Sequence, residues 1–288
     1  MKLALGTVQF GLDYGVANAA GRISPEDAKS ILQLAFGSGM DTLDTAIAYG
    51  ESEAVLGRLG VQSWKVVTKL PAVPEGCADT SNWVRLNIQE SLKRLGVSQL
   101  YGLLLHRPNQ LLERAGPALF GALQALKADG LISKIGVSVY DTEELDQLFQ
   151  KYRFDLIQAP FNILDRKLVD SGWAARLKAG GVEVHTRSAF LQGLLLMPEE
   201  KRPSKFDRWR PIWQEWTRWL KHYHLSPVQA CVQFAVAERK VDRVLVGVDT
   251  SMQLKEIIQA ANGQISNLPS FPPLLDQRLV NPAAWNQL

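Results

Sequence analysis

Short runs of apolar and β-branched residues recur along the chain, and a longer segment with helical periodicity follows almost every one of them. These runs predict eight strands, at residues 3–6, 41–44, 64–69, 100–106, 132–138, 155–159, 182–187 and 243–248. Strands that alternate with helices pair in parallel, because each helix returns the chain to the starting edge of the sheet. For 288 residues the pattern predicts a single domain, residues 1–288, folded as a closed (β/α)8 barrel; a doubly wound open sheet is the alternative.

Local signals mark where the intervening helices begin and end. Ser24, Pro25 and Glu26 supply an N-cap, a proline in the first turn and an acidic residue near the positive helix end. Similar signals predict helix starts near residues 51, 80, 112, 141, 172, 226 and 251. Left-handed caps at helix C-termini are predicted at Gly39, Gly96, Gly130 and Gly180.

Two segments exceed what such a barrel needs. Residues 198–222, an insertion after the seventh strand, are rich in Lys, Arg and Trp, and Trp209, Trp213 and Trp216 have the spacing of one buried helix face. Residues 262–288 form a C-terminal tail with little helical period and four prolines, Pro269, Pro272, Pro273 and Pro282. Because active sites of barrels lie where the strands end, we expect both segments near the barrel mouth, where they could shape the pocket.

Composition and charge favour a small-molecule partner. The formal net charge is +3, with 32 basic and 29 acidic residues interspersed, which argues against nucleic acid or a membrane surface as the partner. Cys77 and Cys231 lack the spacing of a disulfide framework or a zinc site, so no metal is expected. The apolar run after Met1 is too short for a signal peptide, and no run reaches the roughly 18 residues of a membrane span. We therefore expect a cytoplasmic protein that is a monomer or a small homo-oligomer.

Polar residues end several of the otherwise apolar strands. In a (β/α)8 barrel the C-terminal strand ends converge on one mouth, where active sites are built. The residues predicted to meet there are Asp44, Lys69, His106, Ser138, Gln158 and Arg187. Tyr49 follows the second strand closely, so the sequence brings an acid, a cation, an imidazole and a phenol to one site.

This set suits proton transfer coupled to hydride transfer. A free phenol, with a pKa of ~10, is a poor acid near neutral pH, and an adjacent ammonium makes it a better proton donor by stabilising the phenolate. We expect Lys69 to act in this way on Tyr49, with Asp44 keeping Lys69 charged. His106 is placed to hydrogen-bond a carbonyl oxygen of the substrate. Taken singly, each residue has a structural alternative: an ion pair for Lys69 and Asp44, a buried hydrogen bond for His106.

One segment of the sequence is highly specific: Asp44-Thr45-Ala46-x-x-Tyr49-Gly50-x-Ser52-Glu53. It resembles a motif of the aldo/keto reductase family, and weaker motifs occur in the family's order, so that the resemblance extends from Leu3 to about Ala260. The weaker motifs are Leu3-Ala4-Leu5-Gly6-Thr7, Leu56-Gly57, Lys69, His106-Arg107-Pro108, Ile135-Gly136-Val137-Ser138, and Ser188 with Gln192-Gly193-Leu194-Leu195.

The resemblance implies a (β/α)8 barrel that binds NADPH or NADH extended across its C-terminal face, without a Rossmann fold. The catalytic residues that it implies are Tyr49 as general acid, supported by Asp44, Lys69 and His106. The cofactor contacts that it implies are Gly6, Thr7, Ser138, Gln158, Arg187, Ser188, Phe190, Gln192, Gly193, Gly247, Gln253 and Glu256. Among these, Ser138 and Gln158 match the residues that bind the nicotinamide carboxamide, residues 188–193 match the cover of the pyrophosphate, and residues 247–256 match the segment that holds the adenosine half.

Two positions depart from the family pattern. Val139 follows Ser138 where the family commonly has Asn, which removes one amide contact to the cofactor. Arg187 stands where an aromatic residue usually stacks on the nicotinamide. Its guanidinium is expected to stack there, to bind an anionic substrate, or to form an ion pair with Glu183 or Asp165.

The choice between NADPH and NADH depends on residues that face the 2′-phosphate. Residues 247–253 contain no basic side chain, and Lys255 is the nearest one. The insertion has a basic cluster that could supply the charge or could be a solvated surface run, namely Lys201, Arg202, Lys205, Arg208 and Arg210. We expect NADPH because the family mostly uses it; NADH is the alternative.

Three functions fit these residues. The first is an enzyme that reduces an aldehyde or a ketone to an alcohol, and three arginines, Arg107, Arg166 and Arg187, indicate a polar substrate such as a sugar derivative. The second is a regulatory module that binds nicotinamide cofactor with little turnover, which the changes at Val139 and Arg187 favour. The third, a metal-dependent hydrolase, is disfavoured because the strand ends offer only His106 and Asp44 as ligands.

Overall fold

Eight parallel strands form a closed barrel in the computed structural model, which describes residues 1–16, 18, 21–265, 267–271 and 276–288. The strands follow one another around the barrel, and β8 pairs with β1 to close it, with Val244 opposite Leu3. Their bounds are β1 Leu3–Gly6, β2 Thr42–Asp44, β3 Lys65–Leu70, β4 Leu100–Leu105, β5 Ile132–Ser138, β6 Leu156–Pro160, β7 Glu183–Arg187 and β8 Arg243–Val246. The predicted (β/α)8 barrel is confirmed, and closure excludes the open sheet.

Helices connect the strands on the outside of the barrel. Their bounds are α1 Pro25–Gly37, α2 Ser52–Leu59, α3 Thr80–Leu95, α4 Gly116–Ala128, α5 Thr142–Lys151, α6 Lys167–Asp170, α7 Trp173–Ala179, α8 Arg210–Tyr223, α9 Pro227–Ala237, α10 Ser251–Ala260 and α11 Gln277–Val280. Shorter 3-10 turns lie at Val8–Phe10, Pro108–Leu112, Leu194–Leu196, Glu199–Lys201, Ser204–Trp209 and Pro282–Gln287. In the part of the chain that the structure describes, no helix is both long and apolar enough to cross a bilayer.

The capping signals succeed at most helix ends and fail at two. Ser24 accepts a hydrogen bond from the Asp27 amide at 3.1 Å, as an N-cap should. The helix predicted from residue 112 begins instead at Gly116, because the chain turns so tightly there that a Cβ on Gly116 would lie 1.9 Å from the Leu111 carbonyl oxygen. Gly180 has a φ of −82°, and the left-handed position falls one residue later, at Gly181.

Side chains fill the barrel in layers along its axis. Successive residues of a strand face opposite sides, so residues two apart share the interior face. The middle layer is apolar and contains Val67, Leu104 and Leu156, all fully buried. Below it, near the N-terminal strand ends, Glu183 of β7 accepts hydrogen bonds from Tyr101 of β4 and Lys134 of β5. One Glu183 oxygen lies 2.8 Å from Nε2 of the buried His185. Above the apolar layer lie the polar strand ends, which are thereby confined to one mouth of the barrel.

The insertion and the tail pack against each other. Three tryptophans of α8 are buried, as the spacing predicted for Trp213 and Trp216, and Trp209 at the start of the helix is buried too. The rings of Phe206 and Trp285 contact edge to face, with their centres 4.9 Å apart. Lys205 donates to the Trp285 carbonyl oxygen at 2.9 Å. Of the tail's prolines, Pro272 and Pro273 lie outside the described residues.

Candidate active site

A cavity of about 420 Å³ opens over the C-terminal ends of the strands. The structure brings every site residue predicted from the sequence to the wall of this cavity: Gly6, Thr7, Asp44, Tyr49, Lys69, His106, Ser138, Gln158, Arg187, Ser188, Phe190, Gln192, Gly193, Gly247, Gln253 and Glu256. These residues come from six strands, from the loops after β1, β2, β4, β7 and β8 and from α10, and they share one space although they are far apart in sequence.

A buried ion pair lies at the floor of the cavity. Lys69 is the last residue but one of β3 and is 1% exposed. Its Nζ lies 2.5 Å from Oδ1 of Asp44 and donates to the Thr45 carbonyl oxygen at 2.9 Å. Burial alone lowers the pKa of the Lys69 ammonium, but the charges of Asp44 and Tyr49 outweigh burial and raise it above its usual value. Lys69 is therefore a fixed positive charge at neutral pH.

Tyr49 lies directly beside this charge, on the turn that follows β2. The Lys69 Nζ is 5.0 Å from the centre of the Tyr49 ring, and the His106 ring meets Tyr49 edge to face with the ring centres 5.9 Å apart. The loop after β1 packs tightly under this turn, since a Cβ on Gly11 would lie 1.8 Å from the Tyr49 carbonyl oxygen. The turn is thus held in place from below.

The remainder of the specific motif anchors the turn. Ser52 is fully buried and donates to the Thr7 carbonyl oxygen at 2.8 Å, which ties α2 to the end of β1. Glu53, also buried, accepts from Thr68 at 2.7 Å and from the guanidinium of Arg94 at 2.7 Å. A buried carboxylate is stable only when its oxygens are so satisfied. The sequence Ser52-Glu53 therefore fixes the position of Tyr49 without lining the cavity.

His106 follows β4 and faces the same space. Burial, and then the nearby Lys69 ammonium, lower the pKa of His106 from 6.5 to about 4. The imidazole is therefore neutral at pH 7, with one nitrogen as donor and the other as acceptor. A neutral imidazole at this place can donate a hydrogen bond to an oxygen in the cavity and does not compete with Tyr49 as a charged acid.

A hydrogen-bonded chain links the ion pair to the opposite side of the barrel. The side-chain amide of Gln158 donates to Oδ2 of Asp44 at 2.7 Å, and Ser138 donates to Oε1 of Gln158 at 3.3 Å. Ser138 and Gln158 are both buried in the cavity wall. The Asp44 carboxylate is consequently held from two sides, by Lys69 and by Gln158.

The two departures from the family pattern contact each other. Arg187 donates to the Val139 carbonyl oxygen at 3.0 Å and to the Ser188 hydroxyl at 3.3 Å, and its guanidinium lies over the Tyr140 ring, 4.3 Å from the ring centre. The Arg187 side chain therefore lies along the cavity wall with its plane against an aromatic ring. In the described residues it forms no ion pair with Glu183 or Asp165.

The loop after β7 is strained and joins another loop over the cavity. Three residues other than glycine, Ser188, Leu191 and Gln192, have positive φ values of 64°, 49° and 53°. Such strain persists where the surrounding contacts impose it, and it is concentrated at functional sites. The Gln192 side-chain amide donates to the Tyr14 hydroxyl at 3.1 Å, and the Val16 amide donates to the Gln192 carbonyl oxygen at 3.2 Å.

The lining residues that the sequence analysis did not predict include Gln9, Tyr14 and Asp249. Tyr14 and Gln9 belong to the segment after β1, and Asp249 follows β8. Oε1 of Gln9 and Oδ1 of Asp249 are buried and, among the described residues, have no hydrogen-bond partner. Asp249 lies within residues 247–253, where the sequence analysis considered only basic side chains that could bind the 2′-phosphate.

The basic cluster of the insertion lies elsewhere. Arg202 lies over the Trp213 ring, 4.2 Å from its centre, and Lys205 is bound to the tail. The cavity is lined by no residue of 198–222 and by no described residue of 262–288. Of the three arginines that indicated a polar substrate, Arg187 lines the cavity, and Arg107 and Arg166 do not. No group of three metal-ligating side chains occurs within the residues described.

Comparisons with known proteins agree with this geometry. The model of the Aldo/keto reductase family matches residues 2–267. D-threo-aldose 1-dehydrogenase of Pseudomonas sp is 25% identical over 88% of this chain and 89% of its own, and NADH-specific methylglyoxal reductase of Escherichia coli is 24% identical over 80% and 81%. The solved structure of an aldo-keto reductase from Bacillus halodurans has a TM-score of 0.71 and 20% identity, over 92% of this chain and 88% of that one.

Proposed function

This chain belongs to the aldo/keto reductase family, and we propose that it reduces the carbonyl group of an aldehyde or a ketone to an alcohol, with Tyr49 as the general acid. The single observation that supports this most strongly is the buried Lys69–Asp44 pair beside Tyr49, open to a cavity in which His106 faces the same ring. A structural ion pair alone would not require a phenol and an imidazole beside it in the cavity wall.

The cavity walls fit a nicotinamide cofactor of the kind that the family uses. When bound, the cofactor supplies a hydride to the carbonyl carbon of the substrate. Ser138 and Gln158 offer a buried hydroxyl and amide to its carboxamide, and the loop 188–193 offers backbone and hydroxyl donors to its phosphates. The unpartnered oxygens of Gln9 and Asp249 are acceptors that a polar ligand would satisfy. No metal is needed for this chemistry.

Tyr49 and its neighbours have separate roles in the proton transfer. Tyr49 donates its proton to the carbonyl oxygen as that oxygen becomes negative, and the fixed ammonium of Lys69 stabilises the phenolate left behind. Asp44 keeps Lys69 charged and in place. His106, neutral at pH 7, donates a hydrogen bond to the same oxygen and orients the carbonyl for attack. In the direction of oxidation, Tyr49 accepts the proton instead.

The substrate that these walls favour is a small polar carbonyl compound such as a sugar. Arg187, Tyr140 and Tyr14 add a guanidinium and two phenol rings to the wall, and these groups bind hydroxyl-bearing ligands by hydrogen bonds and stacking. The relative that acts on an aldose supports the same class. The relatives compared above bear the names of enzymes and give no support to the alternative of a regulatory module. The sequence-based expectation of NADPH as the cofactor remains a prediction at this point.

The test is cofactor binding followed by turnover. Fluorescence titration with NADH and with NADPH measures binding, and the loss of absorbance at the nicotinamide band measures reduction across aldehydes, ketones and aldoses. We expect binding of at least one cofactor and reduction of at least one class of carbonyl compound. Tight cofactor binding without turnover on any compound would contradict the enzymatic proposal and favour a binding module.

A further inference from the structure

The cavity has a negatively charged end that the chemistry described so far does not use. In a closed barrel of eight strands in sequential order, β8 lies across the axis from β4, which leads into His106. Asp249 follows β8, and Glu256 lies on α10 just beyond it, and both line the cavity. A ligand that extends from Tyr49 over the end of β8 therefore meets two carboxylates at its far end.

Cations are missing from that end. The Lys and Arg residues among the described lining of the cavity are Lys69 and Arg187, on β3 and β7. Lys69 is already paired with Asp44, and Arg187 is bound to the Val139 carbonyl oxygen. Lys255, the basic residue nearest in sequence, does not line the cavity. A phosphate at the β8 end would find no side chain to neutralise it.

The N-terminus of α10 does not replace the missing cation. A helix N-terminus binds phosphate through free backbone N–H groups. Here Thr250 Oγ1 accepts from the Gln253 amide at 3.2 Å, and Gln253 Oε1 accepts from the amides of Asp249 and Thr250 at 2.7 and 3.3 Å. This capping box occupies donors that a phosphate would otherwise use.

Asp249 is an acceptor that lacks a donor. Its Oδ1 is buried, and among the described residues nothing donates to it. Burial raises the pKa of this carboxyl group, as expected for a buried acid without a compensating partner. A hydroxyl group of a ligand would donate the missing hydrogen bond, whereas a second anion would be repelled.

The vicinal hydroxyls of a ribose match this requirement, and a ribose 2′-phosphate opposes it. We propose that Asp249, assisted by the charge of Glu256, makes this enzyme select NADH over NADPH by accepting hydrogen bonds from the adenosine ribose and repelling the 2′-phosphate. The inference rests on the proposed function, which places the nicotinamide at the Tyr49 end of the cavity. It reverses the cofactor preference expected from the sequence.

The first test compares two ligand pairs that differ only by the 2′-phosphate. Fluorescence titration gives the Kd of NADH and of NADPH, and competition against bound NADH gives the Kd of AMP and of adenosine 2′,5′-bisphosphate. We expect NADH and AMP to bind about tenfold or more tightly than their 2′-phosphorylated counterparts. Equal or tighter binding of NADPH would overturn the inference and leave the proposed reaction intact. Binding of neither dinucleotide would refute the proposed function itself.

The second test assigns the selectivity to the two carboxylates. Asp249→Asn keeps the side-chain shape and removes the charge, and Asp249→Asn with Glu256→Gln removes both charges. We expect each variant to bring the Kd of NADPH closer to the Kd of NADH, mainly because NADPH binds more tightly. The double variant should bring the two values closer still. Glu90→Gln, on the exposed side of α3, is the matched control and should leave the ratio unchanged.

The variants must first be shown to fold. Among the described residues nothing donates to Oδ1 of Asp249, and Glu256 is exposed, so both variants should retain the wild-type Tm. A ratio that stays the same in folded Asp249→Asn and in the folded double variant would refute the role of the carboxylates. If Asp249→Asn lowers the Tm markedly, Glu256→Gln alone decides, and an unchanged ratio in that variant counts against the inference.

Discussion

Gln158 and Asp44 form a hydrogen bond of 2.7 Å across the interior of the barrel. Asp44 ends β2, and Gln158 is the middle residue of β6; the two strands lie on opposite sides of the axis. Gln158 is fully buried and Asp44 is 4% exposed, so water cannot replace this bond. The carboxylate that holds the Lys69 ammonium is therefore itself held from the far wall, and the electrostatics around Tyr49 depend on a residue from another part of the sequence.

Replacement of Gln158 by Leu should destabilise the fold. The variant leaves Oδ2 of Asp44 and the Ser138 hydroxyl without their partner, and an unsatisfied buried polar group costs about 1–3 kcal/mol. Urea unfolding measures the change. Gln62→Leu is the control, because Gln62 donates to a backbone carbonyl group at an exposed site. Equal stability of Gln158→Leu and the wild type would show that Asp44 does not need this bond.

Replacement of Tyr49 by Phe should leave cofactor binding intact and abolish most turnover. The variant removes one hydroxyl group and keeps the ring that Lys69 and His106 contact. Loss of a general acid lowers kcat by about 10²–10⁴-fold. Cofactor titration and steady-state rates measure the two effects separately. Tyr152→Phe, which loses a hydrogen bond to the Leu111 carbonyl oxygen far from the cavity, is the control and should keep its kcat. An undiminished rate in Tyr49→Phe would remove it from the mechanism.

Replacement of Lys69 by Met should destabilise the protein strongly, and a second change should restore part of the loss. In the single variant the buried Asp44 carboxylate loses its counter-ion, and this lowers the free energy of unfolding by about 3–5 kcal/mol. Asp44→Leu in the same chain removes the uncompensated charge, so the double variant should be more stable than Lys69→Met. It should still be inactive. Denaturant unfolding of both variants tests this, and a double variant less stable than the single one would contradict it.

The stability of the protein should fall between pH 6.5 and pH 4 in part because of His106. An unfolded histidine gains its proton near pH 6.5, whereas burial and Lys69 lower the pKa of His106 to about 4 in the fold. The unfolded state binds more protons in this window, so acid favours unfolding by up to about 3 kcal/mol. His106→Asn removes this contribution, and its stability relative to the wild type should rise as the pH falls from 7 to 4.5.

The exposed His222 on α8 provides the comparison for that measurement. His222→Asn and the wild type share every other acid-sensitive group, so a difference that appears only in His106→Asn belongs to His106. Parallel unfolding curves for wild type and His106→Asn across this pH range would contradict the prediction.

Periodicity and strand-end position were enough to predict the barrel and the wall of the cavity. The sequence analysis predicted Lys69, His106 and Gln158 because polar residues near the C-terminal ends of apolar strands meet at one mouth of a closed barrel. Tyr14 and Gln9 escaped prediction because the path of a loop depends on tertiary contacts, such as the bond between Tyr14 and Gln192, that leave no local pattern.

The direction of long basic side chains was equally beyond the sequence. Arg202 and Lys205 carry charges that suit a phosphate, and both turn instead to aromatic rings and to the tail. These directions depend on the ring faces of Trp213 and Phe206, which attract the charged groups of Arg202 and Lys205. The sequence shows an acidic residue at position 249. Only the structure shows that, among the described residues, no donor reaches the buried Oδ1 of Asp249.

The apolar layer of Val67, Leu104 and Leu156 separates the polar clusters at the two ends of the barrel. On one side of it Glu183 contacts Lys134 and His185. On the other side Lys69 pairs with Asp44 beside Tyr49. Among the described residues the two clusters share no hydrogen bond, so charges near the N-terminal strand ends can be changed to alter thermal stability without breaking a contact of Tyr49 or Lys69.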